Sequence, residues 1–117
     1  MTPQECRETY RSVLDEVGED VYIRRYLGTG ANRPRFEVKV RARVMEFTAV
    51  ELSGSIIQGD VKLIVLAEDL ISAQFDLPIL KNDKAIVRGK EINIESSDGN
   101  TRRIQGEIIA YELQGRG

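Results

Sequence analysis

Phe36, Val38, Val40, Ala42 and Val44 alternate with Glu37, Lys39, Arg41 and Arg43. Successive side chains of a strand point to opposite faces, so this period of two predicts a strand with one buried and one wet face. Beyond Val44 the phase slips, because Met45 and Phe47 are apolar around Glu46. One extra residue would produce that slip, which predicts a β-bulge or a strand end near Val44–Met45. Val61 to Ala67 is apolar almost without interruption, as expected of a strand covered on both faces. Val21–Leu27 reads as an earlier strand, and Gly28 to Pro34 as a loop by its glycines and proline. Ala85-Ile86-Val87 and Glu91–Ile94 face each other across Arg88-Gly89-Lys90, a tight turn that uses glycine's freedom at positive φ. Ser96–Asn100 is the next predicted turn and Ile104–Leu113 the closing strand. Glu68–Asp83 reads as irregular, with Leu70, Phe75, Leu77 and Ile79 as packing points around Pro78. Residues 48–60 form a long excursion between strands, and connections of that length are often functional.

Residues 3–18 carry a different rhythm. Tyr10, Val13, Leu14 and Val17 fall at i, i+3, i+4 and i+7, one apolar stripe of a helix. Thr2 is a good N-cap, Pro3 suits the first helical position, and Glu5 completes a capping box. Gly18 ends the pattern as a residue free to take the left-handed cap conformation. The predicted fold is mostly β: a small antiparallel β-barrel or sandwich of about six strands with one N-terminal α-helix. Residues 1–117 are expected to form one domain, the barrel spanning about 21–114. Its predicted core is Val38, Val40, Ala42, Val65, Ile86, Ile94, Ile108 and Ala110, with Val13 and Leu14 from the helix.

Composition narrows the classes. At 117 residues, 41% hydrophobic and 31% charged, the chain can bury one core and is too short for two ordinary ones. The net charge of −2 hides a segregation. Residues 1–21 set Arg7 and Arg11 against six acids. Residues 22–43 set Arg24, Arg25, Arg33, Arg35, Lys39, Arg41 and Arg43 against Glu37 alone, and residues 44–76 set Lys62 against six acids. A basic stretch between two acidic ones suits nucleic acid or an acidic partner, including a second copy of the chain. Met1 leads into Thr2-Pro3-Gln4-Glu5 rather than a basic then apolar run, so no secretory leader is expected. No apolar run approaches the roughly 20 residues of a membrane span.

The chemistry of catalysis is thin. The chain has one cysteine, Cys6, and no histidine, so neither a disulfide framework, nor a zinc site, nor a thiol nucleophile with its usual base is expected. Gly28-Thr29-Gly30 lacks the lysine and hydroxyl residue of a phosphate loop. Ser96-Ser97-Asp98-Gly99-Asn100 lacks the ligand rhythm of a calcium loop, and Glu68-Asp69 reads as a solvated acid pair. The expectation is a protein without enzymatic activity, metal or cofactor. Cations on the strand of Lys39, Arg41 and Arg43, with Tyr22, Tyr26 and Phe36 nearby in sequence, also permit a single-strand nucleic-acid-binding barrel. Phe36 lies on the face opposite those cations, which counts against it.

Asn82-Asp83-Lys84-Ala85-Ile86-Val87-Arg88-Gly89-Lys90-Glu91-Ile92-Asn93-Ile94 resembles a pattern of the head-closure, or stopper, proteins of tailed bacteriophages, also called head–tail joining connectors. The stretch from Gly106 to Gln114, and Ala67-Glu68-Asp69-Leu70 leading toward Pro78, resemble the same family. The similarity covers residues 61–117, and Ile92 stands where the family often has an aromatic. It implies a β-barrel subunit of a ring, usually a hexamer, assembled in the host cytoplasm and placed in the neck of the virion. Such a ring sits below the portal and adaptor, closes the DNA-filled head and receives the tail tube or tail terminator. A tail terminator is the alternative virion part. In some members a loop between two early strands faces the packaged double-stranded DNA. By order, residues 48–60 hold that place here, with Glu51, Ser53, Gly54, Ser55 and Gln58 as channel-facing residues. For the contacts between subunits, the charge pattern nominates Arg24, Arg25, Lys39, Arg41 and Arg43 against Glu46, Asp60, Glu68 and Asp69.

Overall fold

The alternation at 36–44 does build a strand, and that strand is one stave of a closed barrel. The structure, a computed structural model, describes residues 2–28, 30, 34–46, 59–99 and 102–117. Helix α1 (Pro3–Val17) precedes β1 (Glu19–Tyr26), β2 (Arg35–Glu46) and β3 (Val61–Leu66). A short helix α2 (Ala67–Ser72) follows, then β4 (Lys84–Val87) and β5 (Lys90–Asp98). A small hairpin of β6 (Arg103–Ile104) and β7 (Glu107–Ile108) leads into β8 (Ala110–Arg116). Six strands close in the order β1-β2-β3-β8-β5-β4, every neighbouring pair antiparallel.

The inward positions of these staves make the core. Val21 and Ile23 of β1, Val38, Val40 and Ala42 of β2, and Leu63 and Val65 of β3 are all buried, as are Ala85, Ile94 and Leu113 across the barrel. Where β3 ends, the chain turns directly into α2, whose Ala67 and Leu70 join the same cluster with Phe75 and Ile79. Outside the barrel, Leu14 of α1 packs with Leu66 and Ile109, and Cys6, Tyr10 and Ile104 surround them. This second cluster explains the unbroken apolar run at Val61–Ala67. Leu63 and Val65 face the barrel interior while Leu66 faces the helix.

Thr2 caps α1 as its chemistry suggests: its hydroxyl accepts from the Glu5 amide at 3.1 Å, and the Glu5 carboxylate accepts from the Thr2 amide at 3.2 Å. Several other expectations need correction. Gly18 is extended (φ −83°, ψ 175°), not left-handed. Glycine is required there by space, since a Cβ would lie 2.4 Å from the Leu14 carbonyl oxygen. No bulge interrupts β2 at Val44–Met45, which pairs in unbroken register with β3 through Glu46. The register shift falls instead between Ile94 and Ser96 of β5. Residues 67–72 are helical rather than irregular, Ser96–Asp98 belong to β5, and the predicted closing strand divides into β6, β7 and β8. Of the predicted core, Val13 is 45% exposed. Ile86 is only half-buried, because Ala85 and Val87 on either side of it face inward. Ile108 is partly buried against the core.

Candidate functional site

The charged residues nominated from the sequence are spent largely inside the chain. Arg41 and Arg43 project from the outer face of β2 toward the end of α1. There the Arg41 Nε donates to the Leu14 carbonyl at 3.0 Å and Arg43 Nη1 to the Val17 carbonyl at 3.4 Å. The Leu14 carbonyl also accepts the Gly18 amide at 2.9 Å, and the last carbonyls of a helix carry the negative end of its dipole, which favours cations there. Because α1 has no basic residue in its last turn, β2 supplies the cations. Asp20 of β1 completes the group, 3.3 Å from Arg41 and 3.6 Å from Lys39. Glu68 and Asp69, at the start of α2, receive Arg11 from α1 at 2.8 and 2.6 Å. Hydrogen bonds to Asp69 and then Glu68 hold the Arg11 guanidinium charged well beyond its ordinary range, against the opposing effect of burial.

Arg24 lies on the outer face of β1. Burial works against its charge, but hydrogen bonds to Tyr26 and Glu91, with the charge of Glu37, outweigh that effect. Glu91 accepts from Arg24 and from the Tyr26 hydroxyl, both at 2.7 Å. The Tyr26 hydrogen bond is the main reason its carboxyl sits below the usual range. Arg25, one residue on, faces the barrel end. It forks onto the buried Asp83 at 3.0 and 2.8 Å and donates to the carbonyls of Asp76 and Pro78. Its guanidinium lies 4.8 Å from the Phe75 ring centre, and Phe75 stacks on Phe36 at 5.9 Å. Asp60, almost fully buried, binds the Arg116 fork with both oxygens at 2.9 Å and accepts from Gln114 at 2.8 Å. Glu46 ends β2 and is exposed. Glu51, Ser53, Gly54, Ser55 and Gln58 lie outside the described residues.

Two surfaces remain less committed. On α1, Val13 and Val17 are 45% and 46% exposed one turn apart, beside exposed Glu16; exposed Glu5, Glu8 and Asp15 lie further round the helix. The helix's cations, Arg7 and Arg11, turn inward to Glu107 and to Glu68 and Asp69. On the barrel wall, Tyr22 of β1 is 40% exposed and sits directly opposite Ile86 of β4 on one side and Lys39 of β2 on the other. Residues directly opposite in an antiparallel pair share a face, so Tyr22 and Ile86 form an outward apolar spot with Lys39 beside it. Lys84, two residues along β4, shares that face.

Nothing in the residue pattern marks Arg11, Arg102, Gln114 or Arg116 as anchors. Their partners lie 10 to 92 positions away. The even spacing of Gln114 and Arg116 along a strand places them on one side of β8 and would have been the available hint. Among the described residues no group of three or more Cys, Asp or Glu is arranged to hold a metal ion, and no described helix is long and apolar enough to cross a membrane. A scan against protein-family models finds no match to the chain, and a search of curated proteins finds none either.

Proposed function

We propose that the chain is a structural subunit of a ring in the neck of a tailed-phage particle, closing the DNA-filled head and joining it to the tail. The observation that carries the reading is the closed six-stranded antiparallel barrel with a single N-terminal helix strapped to its outside. That is the subunit architecture implied by the resemblance of residues 61–117 to head-closure proteins. The charge pattern fits a supporting role for the ion pairs. Arg41, Arg43 and Arg11 hold α1 to the barrel, Arg25 holds the 76–83 crossover, and Arg116 ties Asp60, at the head of β3, to the end of β8. A subunit braced in this way presents fixed surfaces to a neighbouring copy, to the portal or adaptor ring above, and to the tail tube or terminator below. The ring's axial hole then surrounds double-stranded DNA.

Electron microscopy and sedimentation of the concentrated protein test the reading. The expected particle is a closed ring, six-fold in the usual form, with a hole wide enough for a DNA duplex. A second reading, a single-strand nucleic-acid-binding barrel, is favoured by one observation: Phe36, 40% exposed at the outer end of the Arg25–Phe75–Phe36 stack and next to exposed Arg35, offers a base-stacking platform. A strictly monomeric protein with tight, salt-sensitive binding to oligonucleotides would favour that reading over the ring.

A further inference from the structure

We infer that the two uncommitted surfaces are halves of one contact: the Val13–Val17 edge of α1 in one copy seats on the Tyr22–Ile86 spot of the next. The inference rests on the ring reading and names its interface. Three observations carry it. First, the helix stripe is only partly used, since Leu14 is the sole buried residue of α1 while Val13 and Val17 stay nearly half exposed. The position of α1 is nevertheless fixed by Arg11, Arg41 and Arg43, so these valines are held outward rather than left over from loose docking. Second, the surfaces differ in charge balance. The exposed side of α1 carries Glu5, Glu8, Asp15 and Glu16 without a cation, Glu16 standing next to the valines, whereas the apolar pair on the barrel has both signs around it: Lys39, with Asp20 at 3.6 Å, Lys84, and Glu91 directly opposite Ile86. Unlike charges around apolar centres set register and steer encounter between unlike patches.

Third, the angle suits closure. Helix α1 packs across β2 and β3, while Tyr22 and Ile86 lie on β1 and β4. In the order β4-β1-β2-β3-β8-β5 the two centres are two strand positions of six apart, roughly a third of a turn about the barrel. A head-to-tail contact of unlike patches closes into a ring when its rotation is a whole fraction of a circle. In a six-membered ring whose axis runs along the barrel, the two neighbours of a subunit are themselves a third of a turn apart.

The test uses Val13→Asp and Tyr22→Asp in the full chain, each at an exposed position, with thermal melting to check that each remains folded. Each variant alone is expected to raise the concentration for half-assembly at least about tenfold. An equimolar mixture of the two is expected to give a one-to-one dimer and no ring, because one intact pair of faces remains per pair of molecules. Should either aspartate variant fail to fold, Glu16→Lys and Lys39→Glu take their places. Each is then expected to weaken assembly alone, and combined in one chain they are expected to restore it. Rings that persist in both single variants would overturn this pairing of faces, assign them to the proteins above or below the ring, and leave the ring reading intact. A mixture that stays monomeric while the parent forms rings would also overturn it. A parent chain that remains monomeric up to about 1 mM removes the inference and the ring together.

Discussion

What holds α1 on the barrel, one buried leucine or a fan of ion pairs, can be decided by magnitude. Leu14 is 1% exposed among Leu66, Ile109, Cys6, Tyr10 and Ile104. Leu14→Ala removes three carbon groups from a sealed site, worth about 0.8 kcal/mol each, or roughly 2.4 kcal/mol in transfer alone. An unrelaxed cavity adds up to about 2 kcal/mol more, for an expected loss of about 2.5 to 4 kcal/mol. Arg11 makes the strongest ion pairs of the helix, but its side chain is 36% exposed and those of its partners 39% and 19%. Solvent screening limits such pairs to about 1 kcal/mol even with fork geometry. Packing should therefore exceed pairing about threefold. A domain of 117 residues has roughly 6 to 17 kcal/mol of total stability, so the Leu14 effect is a large part of it.

The assay is urea unfolding followed by far-ultraviolet circular dichroism on the parent, Leu14→Ala and Arg11→Ala, with hydrogen exchange resolving α1 amides from those of β3. Because Leu14 touches Leu66, the end of β3, its loss should lower protection in both elements. Exchange that rises in α1 alone, with the barrel unmoved, would show that the helix opens independently and that the second cluster adds nothing to the barrel. An Arg11→Ala loss larger than that of Leu14→Ala would refute the packing argument outright.

Other expectations follow from the same structure. Val40→Asp places a carboxylate in the barrel interior and should cost several kcal/mol by urea titration; a variant that melts like the parent would mean that the inward face of β2 is misassigned. Arg25→Leu leaves the buried Asp83 without its fork and should cost about 3 to 5 kcal/mol, much of it recovered in the Arg25→Leu, Asp83→Leu double variant, as a double-mutant cycle would measure. Gly18→Ala drives a methyl group against the Leu14 carbonyl and should cost about 1 to 3 kcal/mol, whereas a truly open cap would tolerate alanine. The Glu91 carboxyl titrates lower in the folded chain than when unfolded. Its contribution is therefore present above about pH 4.3 and lost as the pH falls through the lower folded value. It amounts to under about 1 kcal/mol at this exposed site, and Glu91→Gln should flatten that part of the acid limb in a stability–pH profile.

Residues whose partners are close in sequence, or whose pattern repeats, could be read directly. The strict alternation from Phe36 to Val44, the capping box at Thr2 and Glu5, and the two-sided burial of Val61–Ala67 all appear in the structure as expected. What escaped was phase and partnership. Ala85-Ile86-Val87 is three apolar residues in a row, which does not declare which of them faces in. Val44 keeps the inward phase, partly buried against the core, and Met45 continues β2 without a bulge as a half-buried residue on the other face. Helix α2 has only six residues and no side-chain N-cap, so its Glu68-Asp69 pair reads as a solvated loop although it anchors Arg11. The basic face of β2 was legible as a face. Its engagement with the end of α1 was not, since Arg41 and Leu14 are 27 positions apart and charge alone names no partner.

Closure of the barrel governs how this chain can meet others. An open sheet ends in strands with unspent amides and carbonyls, and copies of such a protein can extend one another strand by strand without limit. Here each of the six staves is hydrogen-bonded to a neighbour on both sides, and among the described residues outside them the β6–β7 ribbon offers only two residues a side. Through the barrel wall, contact with another copy would be written in side chains, whose shapes and charges match one partner in one orientation. A count that stopped at a fixed number of copies would then be a property of surface geometry, since the closed barrel offers no edge on which to add one more.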